Sequence, residues 1–293
     1  MDHIEPYIDL MKPYFSKQNF TLFQGDCLEV LKKMKPESVD MIFADPPYNL
    51  SNGGFTCSGG KAVSVNKGDW DRSKGFDADA LFNEAWLNAC RRVLKPGGTI
   101  WVSGTYHNVY QVGYALQKLG YHILNEVCWF KPNASPNLSC RMLTASHETV
   151  IWARRDKKAK HYFDYRFTKE YFSRLDSIKK EGLQMRDVWE LGDSELPNVW
   201  RIPLTPKSEK CAGKHPTQKP VELLKRIINI ASKPGDTILD PFNGSGTTGI
   251  VACALSRKYV GIDTENEYLD LTVKRFRMTT SFFAGQEKIK QAA

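Results

Sequence analysis

The amino-acid sequence predicts an α/β fold, a doubly wound and mostly parallel sheet that carries an irregular basic insertion. Three observations predict it. Short apolar runs of strand type alternate with stretches of helical spacing at both ends of the chain. A glycine turn, Asp240 to Gly249, leaves one run and opens a helix, the place where such sheets bind ligands. Another run ends in Asp45-Pro46-Pro47-Tyr48, a second chemically pointed turn at a strand end.

Taken in order, Val39 to Ala44 (VDMIFA) is an apolar run of strand length, closed by Asp45-Pro46-Pro47. Ala80 to Leu94 has apolar residues at 81, 82, 85, 86, 89, 90, 93 and 94. That is helical spacing, and Lys95-Pro96-Gly97-Gly98 reads as its stop. Thr99 to Ser103, Leu124 to Phe130 and Glu148 to Ala153 read as strands. Residues 132–212 show no clear period and read as an insertion on the sheet. Pro220 to Ser232 is a helix with proline in its first turn. Thr237 to Asp240 is a strand, Thr247 to Leu255 a helix and Lys258 to Asp263 a strand. From about Thr279 the chain reads as a frayed tail.

Charge is concentrated. The chain holds 41 Lys+Arg against 33 Asp+Glu, a formal charge of +8. Residues 153–180 hold ten basic and four acidic residues, so +6 of the +8 lies in one stretch. Tyr162, Phe163, Tyr165, Phe167, Tyr171 and Phe172 interleave with the charges. Basic side chains neutralise phosphates and aromatics stack on unpaired bases, which suits a nucleic-acid partner. A solvated face with some core aromatics gives the same pattern, and both readings stay open here. No run approaches the roughly 20 apolar residues of a membrane-spanning helix, and no signal-peptide core opens the chain. The expectation is a cytoplasmic protein without membrane contact. Seven scattered cysteines without a CxxC pair argue against a disulfide framework or zinc, and no metal is expected.

In the glycine turn, Gly244, Gly246 and Gly249 satisfy G-x-G-x-x-G, and Asp263 lies 19 residues beyond Gly244 at the next strand end. Such a turn lets the backbone approach a nucleoside while the acid holds its ribose. The pattern fits a nicotinamide dehydrogenase or an S-adenosylmethionine enzyme, and a bare tight turn is the bland alternative. No Gly-Lys-Ser/Thr follows, which excludes a P-loop. Asp240 tilts the choice: it would repel a pyrophosphate but pair with the ammonium of a methionine moiety.

The Asp45-Pro46-Pro47-Tyr48 turn suits methylation of an amine on a planar ring. That nitrogen is a poor nucleophile, because its lone pair is delocalised. The Asp45 carboxylate and the Pro46 carbonyl, fixed by the stiff Pro46-Pro47 backbone, can accept its two N–H bonds and stabilise the charge that develops. Tyr48 can stack on a base flipped out of its helix. The bland alternative is a surface proline turn with an exposed acid.

With both turns in place, the sequence resembles the DNA amino-methyltransferases, and in its order, catalytic motif before cofactor motif, their β group. That group includes adenine-N6 enzymes of bacterial restriction–modification systems. Gly25-Asp26-Cys27-Leu28-Glu29-Val30-Leu31 resembles the motif at the cofactor's adenine. Lys214-His215-Pro216-Thr217-Gln218-Lys219-Pro220 resembles the motif ahead of the cofactor strand. The resemblance covers roughly residues 20–276 and implies a Rossmann-like methyltransferase fold with S-adenosyl-L-methionine as methyl donor. It implies one catalytic domain over 1–293: a catalytic-motif half at 20–131, a target-recognition insertion at 132–212, a cofactor-binding half at 213–278 and a tail at 279–293. Asp45, Pro46, Pro47 and Tyr48 would be catalytic. Asp240, Phe242, Gly244, Ser245 and Gly246 would line the donor, and Asp45 would border it. Asp263 would hold the ribose, Asp26 and Cys27 the adenine, and His215 and Thr217 the methionine end. The partners implied are DNA, a cognate restriction endonuclease and a second copy of the chain.

Within the family, Asp at position 45 is usual for adenine and Ser common for cytosine-N4, so the resemblance favours adenine. Cytosine-N4, or an RNA or protein amide, remains the alternative, since any planar NH2 suits the turn. Cytosine-C5 chemistry needs a cysteine, typically after proline, and the chain has no Pro-Cys. A dehydrogenase and a non-catalytic DNA-binding protein are the readings from other classes. Asn49 to Gly60, rich in Gly and Ser, is either a lid or a plain loop. Cys27 reads as a packing residue, and His107, His147 and His161 stand isolated. The tryptophans 101, 129, 152, 189 and 200 read as core or interface residues.

Overall fold

The computed structural model describes residues 11–51, 53, 55–58, 61–64, 66–131, 141–170, 183–184, 187–190, 213 and 215–291. Strands β1 (Phe15–Lys17) and β2 (Phe20–Gln24) lead into α1 (Cys27–Lys33) and β3 (Val39–Ala44). A hairpin, β4 (Phe55–Ser58) and β5 (Lys61–Ser64), follows the Asp45 turn. Then come α2 (Phe76–Val93), β6 (Leu94–Gly104), α3 (Val109–Lys118), β7 (His122–Phe130) and β8 (His147–Arg154). After α4 (Tyr165–Glu170) and β9 (Val188–Glu190), the chain finishes with α5 (Val221–Ala231), β10 (Thr237–Asp240), α6 (Thr247–Ala254), β11 (Lys258–Asp263) and α7 (Asn266–Gln291).

Nine strands form one sheet in the order β1-β2-β11-β10-β3-β6-β8-β7-β9. Only β1 and β8 run against the others. The predicted doubly wound, mostly parallel sheet is therefore present. Its period-2 pattern divides the core. On β3, Ile42 and Ala44 face one apolar layer, with Trp86 and Cys90 of α2 and Leu116 of α3. Met41 and Phe43 face the other, with Leu224 and Ile228 of α5 and Leu269 of α7. Both faces are covered, which is why the parallel strands read as unbroken apolar runs rather than alternating ones.

The strands at 39–44, 237–240 and 258–263 lie where the sequence predicts them, while others extend further. Lys95-Pro96-Gly97-Gly98 differs in kind: it belongs to β6 rather than to a helix stop. Leu94, the cap of α2, is already extended, so the chain passes straight into the strand, with a register shift between Val39 and Met41 opposite. A side chain at Gly98 would meet Leu94 and Lys95 at about 3 Å, so the irregularity needs glycine. Likewise α7 continues to Gln291, through the stretch expected to be a frayed tail; that stretch contains no proline to stop it. Strand β2 and helices α1 and α3 were not foreseen.

The described part of the basic stretch takes the bland reading. Strand β8 runs antiparallel, so the loop after it lies at the amino ends of the parallel strands, opposite the Asp45 turn. Lys160 there sits against Gly97 at the start of β6. Arg155 bonds Glu37 at 2.9 Å, Arg154 donates to His122 at 3.0 Å, and Arg91 pairs with Asp156 at 2.8 Å. Phe163 tilts against Trp152 at 5.7 Å, and Phe167 joins the core. Residues 171–182, and most of the predicted insertion, lie outside the described residues. Among those described, no helix is long and apolar enough to cross a membrane.

Candidate active site

Strands β10 and β3 are adjacent and parallel, with Ile238 opposite Met41 and Leu239 opposite Ile42. Asp240 and Asp45, 195 residues apart, therefore leave neighbouring strand ends, as the sequence suggests for one shared site. A cavity of about 350 Å³ opens there, within the roughly 300–1,000 Å³ of small-molecule sites.

The predicted residues divide between this cavity and a smaller one. Asp26 and Cys27 border the large cavity from α1, and Asp263 borders it from β11. Asp240, Phe242, Gly244 and Ser245 border it from the glycine turn, and His215 and Thr217 from the segment ahead of α5. Asp45 and Pro47 reach it from the other turn. Gly246 is not part of the lining. It caps α6 at φ 71°, and a Cβ there would lie 2.3 Å from Thr272, so it serves the turn's shape. Pro46 and Tyr48 line the second cavity, of about 20 Å³, together with Leu50 and Asp71. Asp45, Trp70 and Thr217 line both.

The large cavity is acidic. Asp240 accepts from the Thr248 hydroxyl at 2.6 Å and the Phe242 N–H at 3.0 Å. Asp263 accepts from Gly244 N–H at 2.7 Å and Glu265 N–H at 3.0 Å. Burial pushes Asp240 up to about 7 and Asp263 up to about 6, in each case against those hydrogen bonds and with help from a neighbouring acid. Both carboxylates would be relieved by a cationic ligand. His215 is pushed down to about 4 by burial and by Lys219, Arg275 and Lys67, so it is a neutral wall. Burial raises Cys27 to about 12, which fits packing rather than nucleophilic work. Asp26 caps α1 by accepting from Leu28 N–H at 2.8 Å.

The Asp45 turn is held from behind. Asp71, buried in a short 3-10 turn, accepts at Oδ1 from the N–H groups of Tyr48 and Asn49, both at 2.9 Å. Its Oδ2 accepts from Leu50 N–H at 3.2 Å and the Ser51 hydroxyl at 3.0 Å. The Asn108 amide reaches the Pro47 carbonyl at 3.4 Å. In front, Tyr48 donates its hydroxyl to Asp45 Oδ1 at 2.6 Å, and Lys219 Nζ donates to Oδ2 at 2.5 Å. Asp45 is therefore a held acid, not the exposed one of a surface turn. Glu148, at the start of β8, lies 3.3 Å from the Tyr48 hydroxyl and 3.8 Å from Lys219, and it pairs with Lys131.

Burial raises Asp45, with Glu148 adding to the effect, and Lys219 works against both. Burial would raise Glu148 as well, but Lys219 and Lys131 outweigh it and bring it down. Burial would lower Lys219, yet Asp45 and Glu148 hold it up. Sequence reasoning missed Asp71, Glu148, Lys131 and Lys219 as site residues. Lys219 stood inside a recognised motif; the other three carry no local signal, because only the fold brings them to the turn.

The chain matches the family model described as DNA methylase over residues 39–274. It is 52% identical over 274 residues to the type II methyltransferase M2.LlaDCHI of Lactococcus lactis subsp. cremoris, covering 93% of this chain and 95% of that protein. Among solved structures it resembles M1.HpyAVI in its SAM complex, with a TM-score of 0.59, 25% identity, and 87% and 98% of the two chains covered. It also shares its fold with the cytosine-N4-specific PvuII DNA methyltransferase, with a TM-score of 0.67, 21% identity, and 90% and 89% covered.

Proposed function

The chain belongs to the DNA methylase family, and from that premise we propose that it methylates the N6 amine of adenine in a short recognition sequence, as part of a restriction–modification system. It is a DNA methyltransferase, and S-adenosylmethionine is its methyl donor. The bound donor supplies an electrophilic methyl on a positively charged sulfur. The acidic cavity fits it: Asp240 and Asp263, raised by burial, gain from the positive charge of the donor. We assign Asp240 to the ammonium, Asp263 to the ribose, Asp26 and Cys27 to the adenine, and His215 and Thr217 to the methionine end. Phe242, Gly244 and Ser245 complete the wall.

One observation carries the reading: Asp45 lines both the large cavity and the small one beside it. A group held on Asp45 is thus adjacent to the donor's chamber. Asp45 and the Pro46 carbonyl accept the two N–H bonds of the target amine, sharpen its lone pair and stabilise the developing charge. Tyr48 stacks on the flipped base. Transfer is direct, without a covalent enzyme intermediate, and the spare proton passes to water.

The choice of adenine rests on Asp45, since the fold is shared with a cytosine-N4 enzyme. A product assay tests it: bacterial DNA and S-adenosylmethionine are incubated with the protein, digested to nucleosides and analysed by mass and retention. N6-methyladenine supports the proposal. N4-methylcytosine keeps the mechanism and overturns the base; no methylated base overturns the DNA substrate. The resemblance also leads us to place a cognate endonuclease and a second copy of the chain as partners, in the cytoplasm.

A further inference from the structure

We propose that Lys219 and Glu148 form an exchange pair: Lys219 positions Asp45 and holds it as an anion, and Glu148 receives the Lys219 ammonium when the target amine takes its place on Asp45. The inference rests on the reading that Asp45 accepts from that amine. Both Asp45 oxygens are already taken, by the Tyr48 hydroxyl at 2.6 Å and by Lys219 Nζ at 2.5 Å. An arriving N–H bond competes with these two donors for the buried carboxylate. Tyr48 is fixed by its buried ring and by Ser103, whose hydroxyl lies 2.7 Å from its own. Lys219 has somewhere to go. Its ammonium lies 3.8 Å from Glu148 Oε2, and about 1 Å of movement would bring it to the ~2.8 Å of a charge-assisted hydrogen bond.

The geometry around Glu148 favours that arrival. Lys131 takes Oε1, which leaves Oε2 facing Lys219, Tyr48 and Ser103. Two buried acids, Asp45 and Glu148, stand against two cations, Lys131 and Lys219. Asp240 also faces Lys219 and Asp45, and the neutral His215 faces Lys219. The exchange makes and breaks no covalent bond and moves no proton. Lys219 stays an ammonium and changes partner, so the net charge of the buried cluster is the same at both ends of the movement.

The test is methyl transfer by full-chain variants from about pH 6 to about pH 9. Lys219→Met leaves two acids against one cation. Its kcat should fall on the order of 100-fold near neutral pH, with part restored as pH rises, because Asp45 must then lose its proton unaided. Adding Glu148→Gln to Lys219→Met leaves one acid against Lys131 and should recover about tenfold, the equivalent of one pKa unit. A loss that is equal at every pH, and that Glu148→Gln does not relieve, means a merely structural lysine and overturns the proposal. Asp45→Asn run in parallel separates the two readings. If it stays active, the assignment of Asp45 fails; if it is dead while Lys219→Met is near normal, the exchange pair alone fails. Should Lys219→Met lose its fold by circular dichroism, Glu148→Gln alone decides. A kcat lowered about tenfold at unchanged KM for DNA supports the exchange, and an unchanged kcat overturns it.

Discussion

At the scale of single residues, the active centre is a set of acids that the protein holds under electrostatic tension. Asp45 is the one that we propose meets the substrate. Asp45→Asn keeps the shape and removes the anionic acceptor, and should cut kcat by a factor on the order of 10²–10³ while S-adenosylmethionine still binds; radiolabelled transfer and equilibrium binding measure the two. Asp240 and Asp263 give a second prediction. Their pKa values in the folded protein, about 7 and about 6, lie above the ordinary 3.8. Raised carboxyl groups favour the fold while protonated, so this contribution is full below about pH 4 and is lost as pH rises through 6 to 7. The cationic donor favours the same groups ionised. Its affinity should therefore rise across that window and its binding release protons, which calorimetry in buffers of different ionisation enthalpy detects. Affinity that is flat with pH would remove both acids from the donor's binding.

At the scale of elements, turns are fixed by residues far from them in sequence. Asp71 takes four hydrogen bonds from residues 48–51, and so holds the exit of the catalytic turn. Asp71→Ala strands those donors and should cost about 3 kcal/mol, the upper range for hydrogen bonds to a charged group. It should also lower kcat more than donor affinity; chemical denaturation and kinetics check both. In the other turn, Gly249 allows α6 to press on the sheet. A Cβ there would lie 2.4 Å from Tyr259 and 2.6 Å from Phe20, both fully buried. Gly249→Ala should cost about 1–3 kcal/mol by overpacking, read as a lowered Tm. The small cavity beside Asp45 adds a constraint on motion. Its roughly 20 Å³ holds about one water, so a base enters only if a wall moves, and Trp70 and Leu50 are the walls that follow the turn.

For the whole molecule, the sheet separates the two turns from part of the basic stretch. Both turns leave the carboxyl ends of parallel strands, whereas the exposed Lys157, Lys158 and Lys160 lie at the amino ends. Charge alone made residues 153–180 a candidate for phosphate contacts; Lys157, Lys158 and Lys160 of that stretch lie away from both turns. Replacing the three with glutamine should leave the salt dependence of DNA binding unchanged. If each neutralised a phosphate, the slope would fall by about 0.9 per residue, which fluorescence anisotropy at several salt concentrations resolves.

The sequence by itself determined the fold class and the two turns. Fully buried parallel strands must be continuous apolar runs, and turns that demand Asp-Pro-Pro or spaced glycines write those demands locally. The strands at 39–44, 237–240 and 258–263 were legible for that reason, and so was the part of the large cavity's lining that the two turns supply. Short elements such as β2 and α1 were not, because their burial comes from neighbours rather than from their own period. Only the tertiary structure decided what surrounds Asp45. Asp71 arrives from 26 residues along the chain, Glu148 from the antiparallel β8 and Lys219 from ahead of α5. A buried charge needs its partner in space, and no spacing in the sequence records which lysine that will be.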